Sequence, residues 1–320
     1  MTRAPAKPDA ARAPAKRRTT KKAAPGPRPA HSVKSPECRV YVGDCREILP
    51  RIPEVRAGAF DLVFADPPFN WARAYDEWDD RMPEREYLDF THAWLDLCVE
   101  ALADHGSIWV NIPDTWAAEI VVYLKAKRLA MVNWCVWHYR FGQNTKGRFI
   151  NSKVHALYFC KDPKRRIWNP DPILETSDRR AIYGDARTEN KRDGMPAGMR
   201  VPMDVWYGQH WGRVQGNNKE RRHGHDNQLP EVYLERVVRA CSNPGDLVLD
   251  PFLGSGTTGV VAHALGRRFI GTEFSKANAK RAFERIKAGP IRIDPDASQL
   301  RGASTAIHPK RGRGTGADDA

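Results

Sequence analysis

The feature that most narrows the fold is a series of short, almost continuously apolar runs separated by stretches with helical spacing. Phe60-Asp61-Leu62-Val63-Phe64-Ala65 and Ser107-Ile108-Trp109-Val110-Asn111-Ile112 are two such runs. Leu247–Asp250 and Arg268–Thr272 are two more, Arg39–Gly43 reads as a strand near the start, and further strands are expected near 132–140 and 154–160. Helical patterns lie between them, at about 85–104, 114–128, 230–242, 257–265 and from Ser275 onward. Buried strands alternating with helices predict an α/β fold built on a doubly wound sheet.

Three segments depart from this rhythm. Residues 1–36 hold ten Lys/Arg against one acid, Asp9, with seven prolines and almost no large apolar side chains. Such a segment buries too little surface to fold and reads as a disordered basic tail. Residues 289–320 read as a second disordered tail, which leaves 37–288 as the folded domain. Inside it, 162–228 loses periodicity and fills with Gly, Pro, Trp and Arg. It is too long for a passive connection and reads as a functional insertion. Much of the net charge of +13 lies in the N-terminal tail, which points to a polyanionic partner; the bland alternative is a solubilising arm.

Other classes lose ground. No apolar run is long enough for a transmembrane helix and no signal-like segment opens the chain, so a cytoplasmic protein is expected. The six cysteines form no C-x-x-C pair, and His223 and His225 have no partners at a metal-ligand spacing, so no metal site is expected.

Two loops carry chemistry. Asp250-Pro251-Phe252-Leu253-Gly254-Ser255-Gly256-Thr257-Thr258-Gly259 follows a strand and opens a helix, and Glu273 ends the next strand nineteen residues after Gly254. Gly254 and Gly256 allow a tight turn and close approach of a ligand, and an acid at Glu273 can accept both hydroxyls of a ribose. The same glycines fit G-x-G-x-x-G, so a dinucleotide oxidoreductase is a rival reading. Against it, the negative charge of Asp250 opposes a pyrophosphate but suits the α-ammonium of S-adenosylmethionine, which carries no phosphate.

Asp66-Pro67-Pro68-Phe69-Asn70 follows the apolar run 60–65. An exocyclic base amine has two N–H groups and needs two acceptors. The Asp66 carboxylate and the Pro67 carbonyl supply them, proline adds no competing N–H, and Phe69 can stack on a base that has left its duplex.

In this arrangement the chain resembles the amino-methyltransferases of DNA, in the permuted class where the catalytic motif precedes the cofactor motif. The likeness covers roughly 38–288. The resemblance implies a Rossmann-like methyltransferase sheet with the catalytic tetrapeptide at Asp66, Pro67, Pro68 and Phe69. It assigns the S-adenosylmethionine site to Asp250, Phe252, Gly254, Ser255, Gly256, Thr257 and Thr258, with Glu273 on the ribose. The Gly43-Asp44-Cys45 turn matches the one beside the cofactor's adenine, so Asp44 and Cys45 join that set. Gln228-Leu229-Pro230-Glu231 resembles the lead into the cofactor-side helix. Phe69 departs from the tyrosine of many relatives, which keeps stacking and removes a hydroxyl.

The resemblance further implies that 162–228 reads the DNA sequence; it holds ten arginines and three lysines, with Trp168, Trp206 and Trp211. Arginine suits bidentate contact with guanine and phosphate. The expected activity is site-specific methylation of N6 of adenine in double-stranded DNA, by base flipping and direct in-line transfer. Methylation of N4 of cytosine on the same fold is the alternative, since an aspartate in first position is a tendency of adenine enzymes. A catalytically silent DNA-binding module is a weaker one. The resemblance leaves open a homodimer, a cognate restriction nuclease and association with the nucleoid.

Overall fold

The computed structural model describes residues 26–71, 80–139, 142, 144–188, 194–208, 210–222 and 227–297. His223 and His225 lie outside them. The chain opens with β1 (His31–Lys34), β2 (Glu37–Val42), α1 (Cys45–Ile48), α2 (Pro53–Arg56) and β3 (Phe60–Ala65). The middle runs through α3 (Glu84–Ala101), β4 (Leu102–Ile112), α4 (Asp114–Ala126), β5 (Ala130–His138) and β6 (Lys153–Cys160). The insertion contributes β7 (Glu175–Thr176), α5 (Asp178–Ala181), β8 (Met199–Arg200) and β9 (Val205–Trp206). Then come α6 (Glu231–Cys241), β10 (Leu247–Asp250), α7 (Thr257–Ala264), β11 (Arg268–Glu273) and α8 (Lys276–Ala288).

Among the described residues nine strands form one sheet in the order β1-β2-β11-β10-β3-β4-β6-β5-β9. The five strands from β2 to β4 pair in parallel, while β6 runs antiparallel to both its neighbours. The run 60–65 forms a strand because its apolar side chains are buried on both faces: Phe60, Leu62, Val63, Phe64 and Ala65 have no exposed surface. The helices supply the cover. In α3, Tyr87, Phe90, Thr91, Trp94, Leu95 and Cys98 follow helical spacing and are all buried, while Glu84 and Glu86 favour its N-terminus electrostatically.

Strand order positions the site. β3 and β10 are hydrogen-bonded neighbours, with Leu62 opposite Val248 and Val63 opposite Leu249. From β3 the chain winds outward through β4, and from β10 it winds the other way through β11 to β2. The carboxyl ends of β3 and β10 therefore flank the switch in winding, where open sheets of this kind hold ligands. The Asp66 and Asp250 loops leave the sheet at those two ends.

Two boundaries differ from the sequence expectation. Residues 31–34 of the expected basic tail form β1, paired antiparallel with β2, and His31 stacks on Phe283 of α8 with 5.2 Å between ring centres. At the other end, residues 289–297 pack against the core. The N–H groups of Ile291 and Arg292 donate to Glu231 Oε2 at 2.8 and 2.7 Å, and Ile293 is buried. Backbone hydrogen bonding to a buried carboxylate is invisible to composition, which is why both segments read as tails. The rest of the tails, 1–25 and 298–320, lies outside the described residues.

The insertion joins the domain core. β9 pairs with β5 at the sheet edge, and Trp206 and Trp211 are buried. Arg236 of α6 packs against both indoles, its guanidinium carbon 5.4 and 4.3 Å from the ring centres. Arg236 also pairs with Glu175 at 3.1 Å, and Glu175 and Asp178 hold Arg200. The two buried tryptophans and Glu175 hold the insertion to α6 through Arg236, and Arg200 braces Glu175 from within the insertion. Trp168 is partly exposed, with Arg166 stacked on it.

Candidate active site

β3 carries Asp66 to the carboxyl edge of the sheet, and neighbouring side chains immobilise the turn that follows. Tyr87 Oη donates to the Pro68 carbonyl at 2.7 Å, and Trp116 Nε1 donates to the Phe69 carbonyl at 3.0 Å. Asn70 adopts a left-handed conformation, φ 57°. Its N–H donates to Asp80 Oδ1, and its amide bonds the Met82 backbone in both directions. Asparagine tolerates that conformation better than most residues. Phe69 is buried and lies edge-on to Trp71 at 5.1 Å. Asp66 Oδ1 accepts from Asn111 Nδ2 at 2.7 Å. Among the described residues the Pro67 carbonyl accepts no hydrogen bond.

β10 ends at Asp250, which is buried and accepts from the Phe252 N–H at 2.9 Å. The loop beyond is tied to β11. Leu253 N–H donates to the Thr272 carbonyl, and Gly254 N–H to Glu273 Oε2 at 2.8 Å. The other oxygen of Glu273 accepts from Ser275 N–H at 3.1 Å. Gly256 has φ +82°, and a Cβ there would stand 2.9 Å from that of Ala282. A Cβ at Gly259 would stand 2.5 Å from Ile286 Cδ1, so this third glycine lets α7 and α8 meet.

The two loops face one cavity, with about 560 Å³ of atom-free space counting the solvent at its mouth. Asp66, Pro67 and Phe69 form one side, and Asp250, Phe252, Gly254, Ser255, Thr257 and Thr258 the other. A second volume of about 310 Å³ adjoins it, lined by Asn111, Trp71, Trp137, Tyr139 and Arg213. Asp66, Phe69, Asn227 and Leu229 face both. Asp66 thus stands on the boundary between two adjoining chambers.

The electrostatics follow from burial. Loss of water pushes the Asp66 carboxyl up to about 7, although the Asn111 hydrogen bond opposes this; Asp250 adds to the rise and Arg213 counters it. Burial likewise pushes Asp250 up to about 7, against hydrogen bonds from Thr258 and the Phe252 N–H, with Glu273 adding to the rise. Two carboxyls poised near neutrality in one cavity mark a functional site. A cation docked at Asp250 would restore its ionised form.

The comparisons with known proteins agree with this geometry. Residues 60–284 match the sequence model of the N6/N4 DNA methylases, described as DNA methylase. The chain belongs to the DNA methylase family. Type II methyltransferase M.BamHI of Bacillus amyloliquefaciens is 35% identical over 254 residues, 78% of this methylase and 57% of that protein. The methylase thus spans little more than half the length of M.BamHI. DNA adenine methyltransferase YhdJ of Escherichia coli (strain K12) is 32% identical over 282 residues, 85% of this chain and 90% of that one. Among solved structures, the PvuII DNA methyltransferase (cytosine-N4-specific) aligns with TM-score 0.56 at 18% identity, covering 83% of this chain and 97% of that chain. That likeness supports the fold. The family carries the reaction class read from the loops, methyl transfer from S-adenosylmethionine to DNA.

The methylase gathers most of the residues picked out in its sequence. Asp66, Pro67, Phe69, Asp250, Phe252, Gly254, Ser255, Thr257 and Thr258 line the cavity. Pro68 serves the turn through its carbonyl, and Gly256 sits behind the loop against α8. Glu273 adjoins the cavity through the Gly254 N–H. Asp44 and Cys45 stand apart from its lining: Asp44 caps α1 and holds Arg46, and Cys45 is buried. They still neighbour Glu273, because Gly43 N–H donates to the Glu273 carbonyl at 2.9 Å. Sequence reasoning missed Asn111, Asn227, Arg213 and Tyr233. Only Asn111 left a signal, as a carboxamide inside an apolar strand.

Proposed function

We propose that this methylase transfers a methyl group to N6 of adenine in duplex DNA, acting on a base swung out of the helix. The carrying observation is the boundary position of Asp66, which lines an aromatic chamber on one side and the Asp250 cavity on the other. The aromatic chamber has the chemistry of a base pocket. Phe69 offers a ring for stacking, and the Asp66 carboxylate and Pro67 carbonyl accept the two N–H groups of the amine. Both acceptors hold the amine in one orientation and raise electron density on its nitrogen.

The Asp250 cavity suits S-adenosylmethionine. Asp250 takes the α-ammonium, the glycine loop allows backbone approach, and Glu273, at the end of β11 beside the Gly254 N–H, takes the ribose hydroxyls. When bound, the cofactor supplies an electrophilic methyl group on sulfur. The chain's residues need only align amine and methyl and keep Asp66 ionised; the amine proton departs after transfer. The name of YhdJ, a DNA adenine methyltransferase, supports the adenine assignment. The partly exposed Trp168 and the insertion arginines not engaged with α6 support a DNA-reading role for 162–228.

Asp66→Ala tests the reading. Losing one charge-assisted hydrogen bond to the amine costs about 1.5–3 kcal/mol, roughly 10- to 150-fold in single-turnover rate. Affinity for S-adenosylhomocysteine should stay within about twofold of the parent. Near-parent turnover would remove Asp66 from the mechanism.

A further inference from the structure

Asn111 is buried near the end of β4, and both ends of its amide are engaged. Nδ2 donates to Asp66 Oδ1 at 2.7 Å, and Oδ1 accepts from Tyr233 Oη at 3.2 Å. Tyr233, on α6, is fully buried. Its ring is walled by Phe64 of β3, Trp137 of β5, and Trp206 and Trp211 of the insertion, with ring centres 5.2 to 6.3 Å away. The phenol therefore has one place to go and one acceptor to meet.

An asparagine amide has two orientations of nearly equal shape and opposite chemistry. With Nδ2 toward Asp66 it stabilises the carboxylate. Turned over, it would present an oxygen to a carboxylate oxygen, which is tolerable only if Asp66 holds a proton. The Tyr233 hydroxyl decides between them, because a donor at the far end demands the amide oxygen there. Burial and the nearby Asp66 and Cys135 hold the Tyr233 phenol well above its ordinary range, so it keeps that proton.

We propose that Asn111 and Tyr233 are positioning residues that occupy Asp66 Oδ1 and leave Oδ2 as the acceptor for the substrate amine. This rests on the methyl-transfer reading above. It also ties the recognition insertion to the reacting centre, since Trp206 and Trp211 help fix the ring of Tyr233. The other groups acting on Asp66 are Asp250 at the end of β10 and Arg213 of the insertion. They act through charge and leave the amide orientation unspecified.

The test is the pH profile of the single-turnover methylation rate, between about pH 5.5 and 9.5, for the full chain with DNA and S-adenosylmethionine. Tyr233→Phe removes one hydroxyl and keeps the ring. It should move the acid limb upward by about half to one unit, so that the rate falls about 2- to 5-fold at pH 7 and recovers near pH 9. Asn111→Asp puts a second carboxyl against the first and should move the limb further. S-adenosylhomocysteine affinity of Tyr233→Phe should stay within about twofold of the parent, which checks the fold. A Tyr233→Phe profile superimposed on the parent's, or lowered equally at every pH, would overturn the proposal. Asp66→Asn in the same assay separates the two levels. If it stays active, the catalytic reading falls and the pair with it. If it is inactive while Tyr233→Phe keeps the parent profile, only the pair is refuted.

Discussion

Cofactor binding should be linked to the titration of Asp250. In the free methylase its carboxyl sits at about 7 because burial disfavours the charge. An ammonium group needs the ionised form, so a proton on Asp250 competes with the ligand. The apparent affinity then scales with the ionised fraction. With a midpoint of about 7, that fraction is about nine-tenths at pH 8 and about one-tenth at pH 6. S-adenosylhomocysteine should therefore bind about tenfold more weakly at pH 6 than at pH 8, a loss of about 1.4 kcal/mol. Calorimetry at both values, in buffers of different ionisation enthalpy, measures the affinity and the proton released together. Asp250→Asn should bind weakly and without this dependence. Asp66 titrates over the same range, so Asp66→Asn serves as the control and should keep the dependence. An affinity independent of pH, or an unchanged slope in Asp250→Asn, would refute the assignment of the ammonium to Asp250.

Further outcomes follow from the same geometry. The Asp250 carboxyl is raised on folding, so the folded state holds its proton more tightly than the unfolded chain. Its contribution to stability is present below about pH 4 and lost as pH rises through about 7; Asp250→Asn should therefore raise Tm at pH 8 and not at pH 4. Glu273→Ala should weaken S-adenosylhomocysteine binding by about 1.5–3 kcal/mol, and calorimetry showing parent affinity would exclude the ribose contact. A chain starting at Gly26 keeps β1 but loses eight Lys/Arg and one acid. If the arm meets DNA, its binding should depend less steeply on salt, equally for specific and random duplexes; matching slopes across a salt series would show that it does not.

The framework was legible because apolar runs report burial directly. Phe60–Ala65 and Leu247–Asp250 read as buried strands, and the chemistry of their loops placed both functional walls. That β3 and β10 are neighbours was harder to see, since their pairing joins residues nearly two hundred positions apart. What escaped depends on three-dimensional contacts. Trp206 and Trp211 read as possible recognition residues, but both are buried against Arg236. Tyr233 carries no motif, and its proposed role depends on where a single hydroxyl points. Residues 31–34 and 289–297 read as tails because edge pairing and hydrogen bonds to Glu231 need no hydrophobic pattern.

The central claim, a methyl group placed on N6 of adenine, is tested most directly on the product. Plasmid DNA is incubated with the methylase and methyl-labelled S-adenosylmethionine, digested to nucleosides and resolved by mass spectrometry. The account predicts that the label appears as N6-methyladenine, and that Asp66→Ala abolishes most of it. Label in N4-methylcytosine would keep the chemistry of the two loops and contradict the choice of base. Label on a ring carbon, or none in duplex DNA of any sequence, would contradict the account itself.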